Sequence, residues 1–233
     1  MIGGRGSGMF FQMDSKAFDD ARITPSFGLA EAAHYLRMNP STLRTWTGTP
    51  ALINVFSAQS PSLSFINLVE AFVLSSIRYK HGVSLQKIRA ALDYVERTLE
   101  IAHPLANARF LTDGSNLFVE QFGKFISASE SGQTAMRSLL NAYLQRVEHD
   151  ETGMASRFYP WTRRGESASQ PKLIVIDPYV SFGRPCVAGT GVPTAAVAER
   201  YKAGESIDDL ADDYGISRHQ VEEAVRCEFD RAA

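Results

Sequence analysis

The chain has 233 residues, 44% of them hydrophobic and 21% charged, with a formal net charge of −2, a composition ordinary for a globular protein of two or three small domains. No apolar run is long enough to cross a bilayer, and two cysteines, Cys186 and Cys227, exclude a disulfide scaffold and a four-cysteine zinc site and fit a reducing cytoplasm. The charge is uneven: Ala21 to Arg97 holds eight Lys/Arg against four acids, +4, whereas Leu173 to Ala233 holds six against eleven, −5, so one end suits phosphate backbones and the other repels them.

In chain order, the opening MIGGRGSGMFFQMD is glycine-rich without a sustained apolar core, and residues 1–25 read as a flexible tail with no secretory signal. Leu29, Ala32, Ala33 and Leu36 then recur at helical spacing behind Gly28, with Glu31 in the first turn. Arg37-Met38 makes a corner. Asn39 followed by Pro40 is an N-cap with proline at the first helical position, where its missing N–H costs nothing. The second helix turns Leu43 and Trp46 inward and carries Ser41, Thr42, Arg44 and Thr45 outward. A plain helical hairpin would share this spacing, but a helix-turn-helix accounts for the hydroxyls and the arginine, which suit phosphates and base edges.

Leu52, Ile53, Val55 and Phe56 between breakers predict a short β-wing. Ser64 caps a helix over Phe65 to about Lys80, stopped by Gly82, and another follows Ser84 with Leu85, Ile88, Leu92, Val95 and Leu99 on one stripe. Beyond Pro104, Arg109 to Thr112 and Leu117 to Glu120 flank Asp113-Gly114, which predicts a hairpin because this dipeptide tolerates positive φ; Lys124 to Ser127 reads as a third strand. A helix from Gln133 and a hairpin around Gly153 complete a small α+β middle region, 101–161. Residues 162–170 have linker composition. The last part, 171–233, has a strand at Leu173 to Ile176, a glycine- and proline-rich excursion, and three short helices ending at Gly204, Gly215 and about Phe229. Its exposed face is expected to carry Asp208, Asp209, Asp212, Asp213, Glu222, Glu223 and Glu228, with Tyr201 and Phe229 in the core. The fold class expected is α+β, mostly α.

Two resemblances sharpen this reading. Phe27 to Leu99, with its Thr42-Leu43-Arg44-Thr45-Trp46 ending, resembles the winged helix-turn-helix modules of MerR and excisionase proteins, which places a DNA-binding domain at 26–100. The resemblance implies a recognition stretch of Asn39, Ser41, Thr42, Arg44, Thr45 and Trp46, with Arg44 on a phosphate. From about Ile174 to Phe229, Phe182-Gly183-Arg184-Pro185, Gly189-Thr190-Gly191-Val192-Pro193, Ala203-Gly204-Glu205-Ser206 and Asp213-Tyr214-Gly215 resemble the bacterial domain of unknown function 433. Proteins joining the two modules resemble VapB-type antitoxins. That resemblance implies operator DNA and a PIN-like ribonuclease toxin as partners, a homodimer, a cytoplasmic location, and a toxin-binding loop of Phe182, Arg184 and Pro185. Arg184 either pairs with the toxin's metal-binding carboxylates or closes its own loop. The alternative reading is a MerR-like transcriptional regulator whose C-terminal domain senses a ligand.

Chemistry-bearing residues do not converge. His34, His81, His103, His149 and His219 lie far apart, Gly189-Thr190-Gly191 lacks a nucleotide-loop lysine, and Asp208/Asp212 and Asp209/Asp213 read as a solvated acidic face. No catalysis, cofactor or metal is expected.

Overall fold

A computed structural model describes residues 20–49, 51–55, 62–81, 84–126, 130–163 and 170–229. Strand β1 (Phe27–Gly28) runs into α1 (Leu29–Tyr35), and after the Leu36 cap and the corner comes α2 (Pro40–Thr47). The Asn39 carboxamide accepts the Ser41 backbone N–H at 2.9 Å, the cap its sequence implies. The corner depends on Arg37 at φ 52°, a left-handed backbone unusual for a long side chain. Its guanidinium explains the tolerance: Nε donates to the Trp161 carbonyl at 2.7 Å and a terminal nitrogen to that of Thr162 at 2.6 Å.

The wing departs from expectation. Ala51 to Val55 forms no strand; the Leu52 and Ile53 amides instead fold back onto the Trp46 carbonyl at 2.7 and 2.9 Å. The returning strand is β2 (Ser62–Leu63), antiparallel to β1; Phe56 falls outside the described residues. Helices α3 (Phe65–His81) and α4 (Leu85–Leu99) follow. Phe65, Ile66, Leu68, Val69, Phe72, Val73 and Leu74 are each at most 1% exposed, so the Phe65–Leu74 part of α3 lies within the core. Around Phe72 gather Tyr143, Phe158 and Trp161, with ring centroids 4.6, 4.5 and 6.0 Å away.

The predicted hairpin at 109–120 and the strand at 124–127 are absent among the described residues. A π-helical turn (Phe110–Gly114) leads directly into α5 (Ser115–Ile126). Phe118 and Phe122, four apart, stack at 5.3 Å, a helical pairing. Gly114 serves close packing, since a Cβ there would lie 2.8 Å from the Phe110 ring. Helix α6 (Glu130–Leu144) and the hairpin of β3 (Val147–His149) and β4 (Ala155–Phe158) match expectation, with a bulge at Glu148/His149 and Gly153 at φ 81°.

Phe158 and Ile176 exchange both backbone bonds, at 3.0 and 2.8 Å, joining this hairpin to the C-terminal part. There β5 (Ile174–Val175) pairs with β6 (Cys186–Val187), followed by α7 (Thr194–Lys202), α8 (Ile207–Tyr214) and α9 (Arg218–Phe229). Ser206 accepts the Asp209 amide at 3.1 Å and Gly215 ends α8 at φ 63°, both as the sequence implies. Tyr201 and Phe229 are exposed at the surface, outside the core expected for them. Glu223 departs furthest from expectation, since it is fully buried.

The residues flanking 164–169, at the two ends of the stretch with linker composition, are held by hydrogen bonds. Arg146, 1% exposed, donates to the carbonyls of Tyr159, Pro160, Gln170 and Pro171 at 2.8 to 3.2 Å. Glu223 of α9 accepts from Arg163 at 2.6 and 2.8 Å, from Arg226 at 2.6 Å, and from the Thr162 hydroxyl. The expected tail is fixed at its end too: Arg22 bonds Asp20 at 2.7 Å and Asp150 at 2.6 Å, and Tyr179 donates to Asp20 at 2.9 Å. Residues 1–19 lie outside the described set.

Candidate nucleic-acid interface and partner surface

Helix α2 exposes the side chains its spacing implies, with one exception. Asn39, Ser41, Arg44 and Thr45 are exposed and Thr42 is half-buried. Trp46, at 1% exposure, belongs to the core beneath them and cannot meet DNA; its contribution is to hold α2, whose carbonyl end anchors Leu52 and Ile53. Ser41 donates to Asn39 at 2.8 Å and Thr45 to the Ser41 carbonyl at 2.9 Å, so these hydroxyls stand in fixed orientations. Arg44 is exposed and has no ion-pair partner among the described residues.

We predict that Arg44→Ala weakens DNA binding on every sequence and lowers the slope of log affinity against log salt by about one phosphate contact, whereas Thr42→Ala shifts sequence preference. Gel-shift titrations at two salt concentrations read both effects. Unchanged affinity for Arg44→Ala would remove α2 from the interface.

A cleft of about 440 Å³ opens beside the N-terminal end of α2, lined by Ala30, His34, Met38 and Pro40 and, from α9, Glu228. A second, of about 530 Å³, lies on the other side of Glu31, between α1 and the 181–185 loop. In that loop Phe182 is 94% exposed, Arg184 is half-exposed and ion-paired with Glu31 of α1, and Pro185 is buried. The loop residues thus share one surface with α1, but only Phe182 and Arg184 offer side chains to a partner. Beyond them some of the acids are internally paired: Arg200 holds Glu205, which precedes α8, and, at 2.5 Å, Asp213 of α8, and Arg218 holds Asp208.

Burial shapes the titrating groups. Cys186 and Cys227 are both buried, and burial pushes both thiols up. Burial also raises the Tyr35 hydroxyl, with the neighbouring Glu228 charge adding to it. His103, bonded to Glu70 at 3.0 Å, is held above the ordinary histidine range by that carboxylate, which outweighs its burial.

Sequence reasoning missed the polar residues that join the modules. Arg37 was placed at the corner but not across it; Arg146 and Arg163 carried no pattern to mark them; Glu223 was assigned to the acidic face. One signal was available for Glu223. It stands two after Val221, one before Ala224 and four before Cys227, all of them buried residues of α9.

The comparisons with known proteins agree with this layout. Residues 25–92 match the family model described as "Putative DNA-binding HTH domain" and residues 174–226 the model "Protein of unknown function (DUF433)". The chain is similar to "Putative antitoxin VapB45" of Mycobacterium tuberculosis, 29% identical over 229 residues, covering 86% of this chain and 92% of that one. It is also similar to an uncharacterized protein of the same organism, Rv2308, 24% identical over 184 residues, 76% of this chain and 75% of that protein. The crystal structure of Rv2018 from M. tuberculosis superposes with a TM-score of 0.69 at 27% identity, covering 87% of this chain and 98% of that chain. The N-terminal part is therefore a helix-turn-helix domain, the C-terminal part a domain of the 433 type, and the whole is homologous to an antitoxin-like protein.

Proposed function

We propose that the protein is the antitoxin of a type II toxin-antitoxin pair, which represses its own operon in the cytoplasm through the helix-turn-helix and neutralises a PIN-like ribonuclease through its C-terminal domain. It acts as a binding protein, with no chemistry of its own. The observation that carries this reading is the division of surface on one homologous scaffold. One module exposes Ser41, Arg44 and Thr45 on a helix free to enter a groove; the other exposes an aromatic and an arginine on a loop backed by acidic helices. A cationic ribonuclease complements the second surface, and DNA is repelled by it. A single recognition helix of eight residues reads few bases, so a homodimer on a two-fold operator is expected.

Co-expression with the neighbouring reading frame tests this. The two products should co-purify, and the complex should shift a promoter fragment that the toxin alone does not. Light scattering should give twice the 25.7 kDa chain mass for the free protein. A monomer that neither shifts the promoter nor retains the neighbouring product would sink the proposal.

A further inference from the structure

We propose that the pair formed by Glu70 of α3 and His103 is a positioning contact for the end of α2, and that DNA affinity therefore follows pH, higher with His103 charged and lower with it neutral. This goes beyond the antitoxin reading and rests on it in one respect, that α2 binds DNA.

A chain of hydrogen bonds connects this pair to α2. The Leu52 and Ile53 amides donate to the Trp46 carbonyl in the last turn of the helix, and the next residue, Asn54, offers its carbonyl to the Asn67 carboxamide of α3 at 3.1 Å. Asn67 is buried, and its orientation is set by the Ser64 amide, which donates to its side-chain oxygen at 3.3 Å. The nitrogen that holds Asn54 also donates to Glu70 Oε2, at 3.3 Å. Glu70 Oε1 in turn lies 3.0 Å from His103 Nδ1. The segment that follows α2 is thus held by an amide bonded to a carboxylate, and the other oxygen of that carboxylate belongs to a histidine.

The histidine sits on a strained backbone. It stands at φ 53° and ψ 57° directly before Pro104, whose ring disfavours helical values in the preceding residue, so the conformation persists only where the surroundings impose it. Two restraints do so: the Ala106 amide donates to the His103 carbonyl at 3.0 Å, and Glu70 ties the side chain. Beside the ring opens a cleft of about 340 Å³, where the 51–54 segment meets Glu70 of α3 and Arg89, Asp93 and Glu96 of α4. Three carboxylates outnumber one guanidinium there, and Arg89 donates its Nε to the Ala51 carbonyl at 3.1 Å. The bond from Glu70, with the Glu70 and Glu96 charges adding, holds His103 above its ordinary 6.5. The contact is therefore complete below that value and fades as pH rises through the raised one. Once the ring is neutral, Glu70 shares its cleft with Asp93 and Glu96 and turns toward water, and the hold of Asn67 on the 51–55 segment slackens.

The test uses the full-length chain with two DNA probes, a fragment of its own promoter and a mixed-sequence duplex. Imidazole NMR spectra, with the His103 signal identified by its loss in His103→Gln, follow the ring; fluorescence anisotropy at constant ionic strength gives affinity from pH 6 to 9, and thermal unfolding checks each variant. In the wild type the ring should titrate above 6.5, and the dissociation constant should rise about three- to tenfold with the same midpoint. Glu70→Gln should return the ring toward its ordinary value. Both Glu70→Gln and His103→Gln should bind with a flat profile at the weak, high-pH level, whereas His103→Lys, charged throughout, should be flat at the tight level. A flat wild-type profile, or a slope that survives in His103→Gln, overturns the coupling and leaves DNA binding in place. A wild type that binds neither probe at any pH fails the reading of α2 and this inference with it.

Discussion

Arg146→Ala should destabilise the fold by about 3 to 5 kcal/mol, the range seen when one side of a buried charged network is removed. The residue is 1% exposed, and its guanidinium serves four carbonyls on both sides of the 164–169 stretch. It also lies 4.4 Å over the Trp161 ring. Truncation leaves these acceptors buried without that donor, and each such group costs about 1 to 3 kcal/mol before relaxation. Burial holds the guanidinium down, to about 10, so it stays charged at neutral pH and the bonds remain charge-assisted. Arg146→Lys should recover only part of the loss, because an ammonium cannot span the same fan of carbonyls. Urea denaturation at constant slope measures both. A loss below about 1 kcal/mol for the alanine variant would show that the carbonyls find water.

Glu223→Ala is the second large effect, about 2 to 3 kcal/mol. Its carboxylate is fully buried and receives Thr162, Arg163 and Arg226 together. The two arginines are about 40% exposed and can turn to water, but the buried Thr162 hydroxyl cannot, which sets the estimate below that for Arg146. Burial alone would raise this carboxyl; the bonds from Thr162, Arg163 and Arg226 prevail and hold it below the ordinary range. The sign follows: with the native value below the unfolded one, the contribution is complete above the ordinary glutamate value and disappears as pH falls through the native one. Below about pH 4.5, therefore, the wild type should lose stability more steeply than Glu223→Gln, whose amide does not titrate. Parallel acid limbs for the two proteins would count against the linkage.

How much of this was legible depended on whether a local signal and its tertiary purpose coincided. Asn39-Pro40, Ser206 and Gly215 cap or stop helices wherever they occur, so both ends of the chain could be read, and the hairpin around Gly153 likewise. At Asp113-Gly114 the two diverged. The dipeptide favours a turn, yet this glycine is small because Phe110 packs onto it, and the i, i+4 pair Phe118/Phe122 was the better witness. The outward face of α2 was legible except at Trp46, where the aromatic that ends the motif faces inward. The bonds between modules were not legible, because a polar side chain whose partner lies 60 or more positions away leaves no periodicity. Arg37, Arg184 and Glu223 show this, each looking locally like a surface residue.

The Arg37 contact also has a bearing on timing during synthesis. Its carbonyl partners lie 124 and 125 positions further on, so a ribosome finishes both helices of the reader long before it makes the atoms that steady the left-handed corner between them. Through that interval the nascent N-terminal segment has the letters of a DNA-binding module without its final brace. A chain broken off near residue 100 would keep the corner but lack both of the carbonyls that hold it.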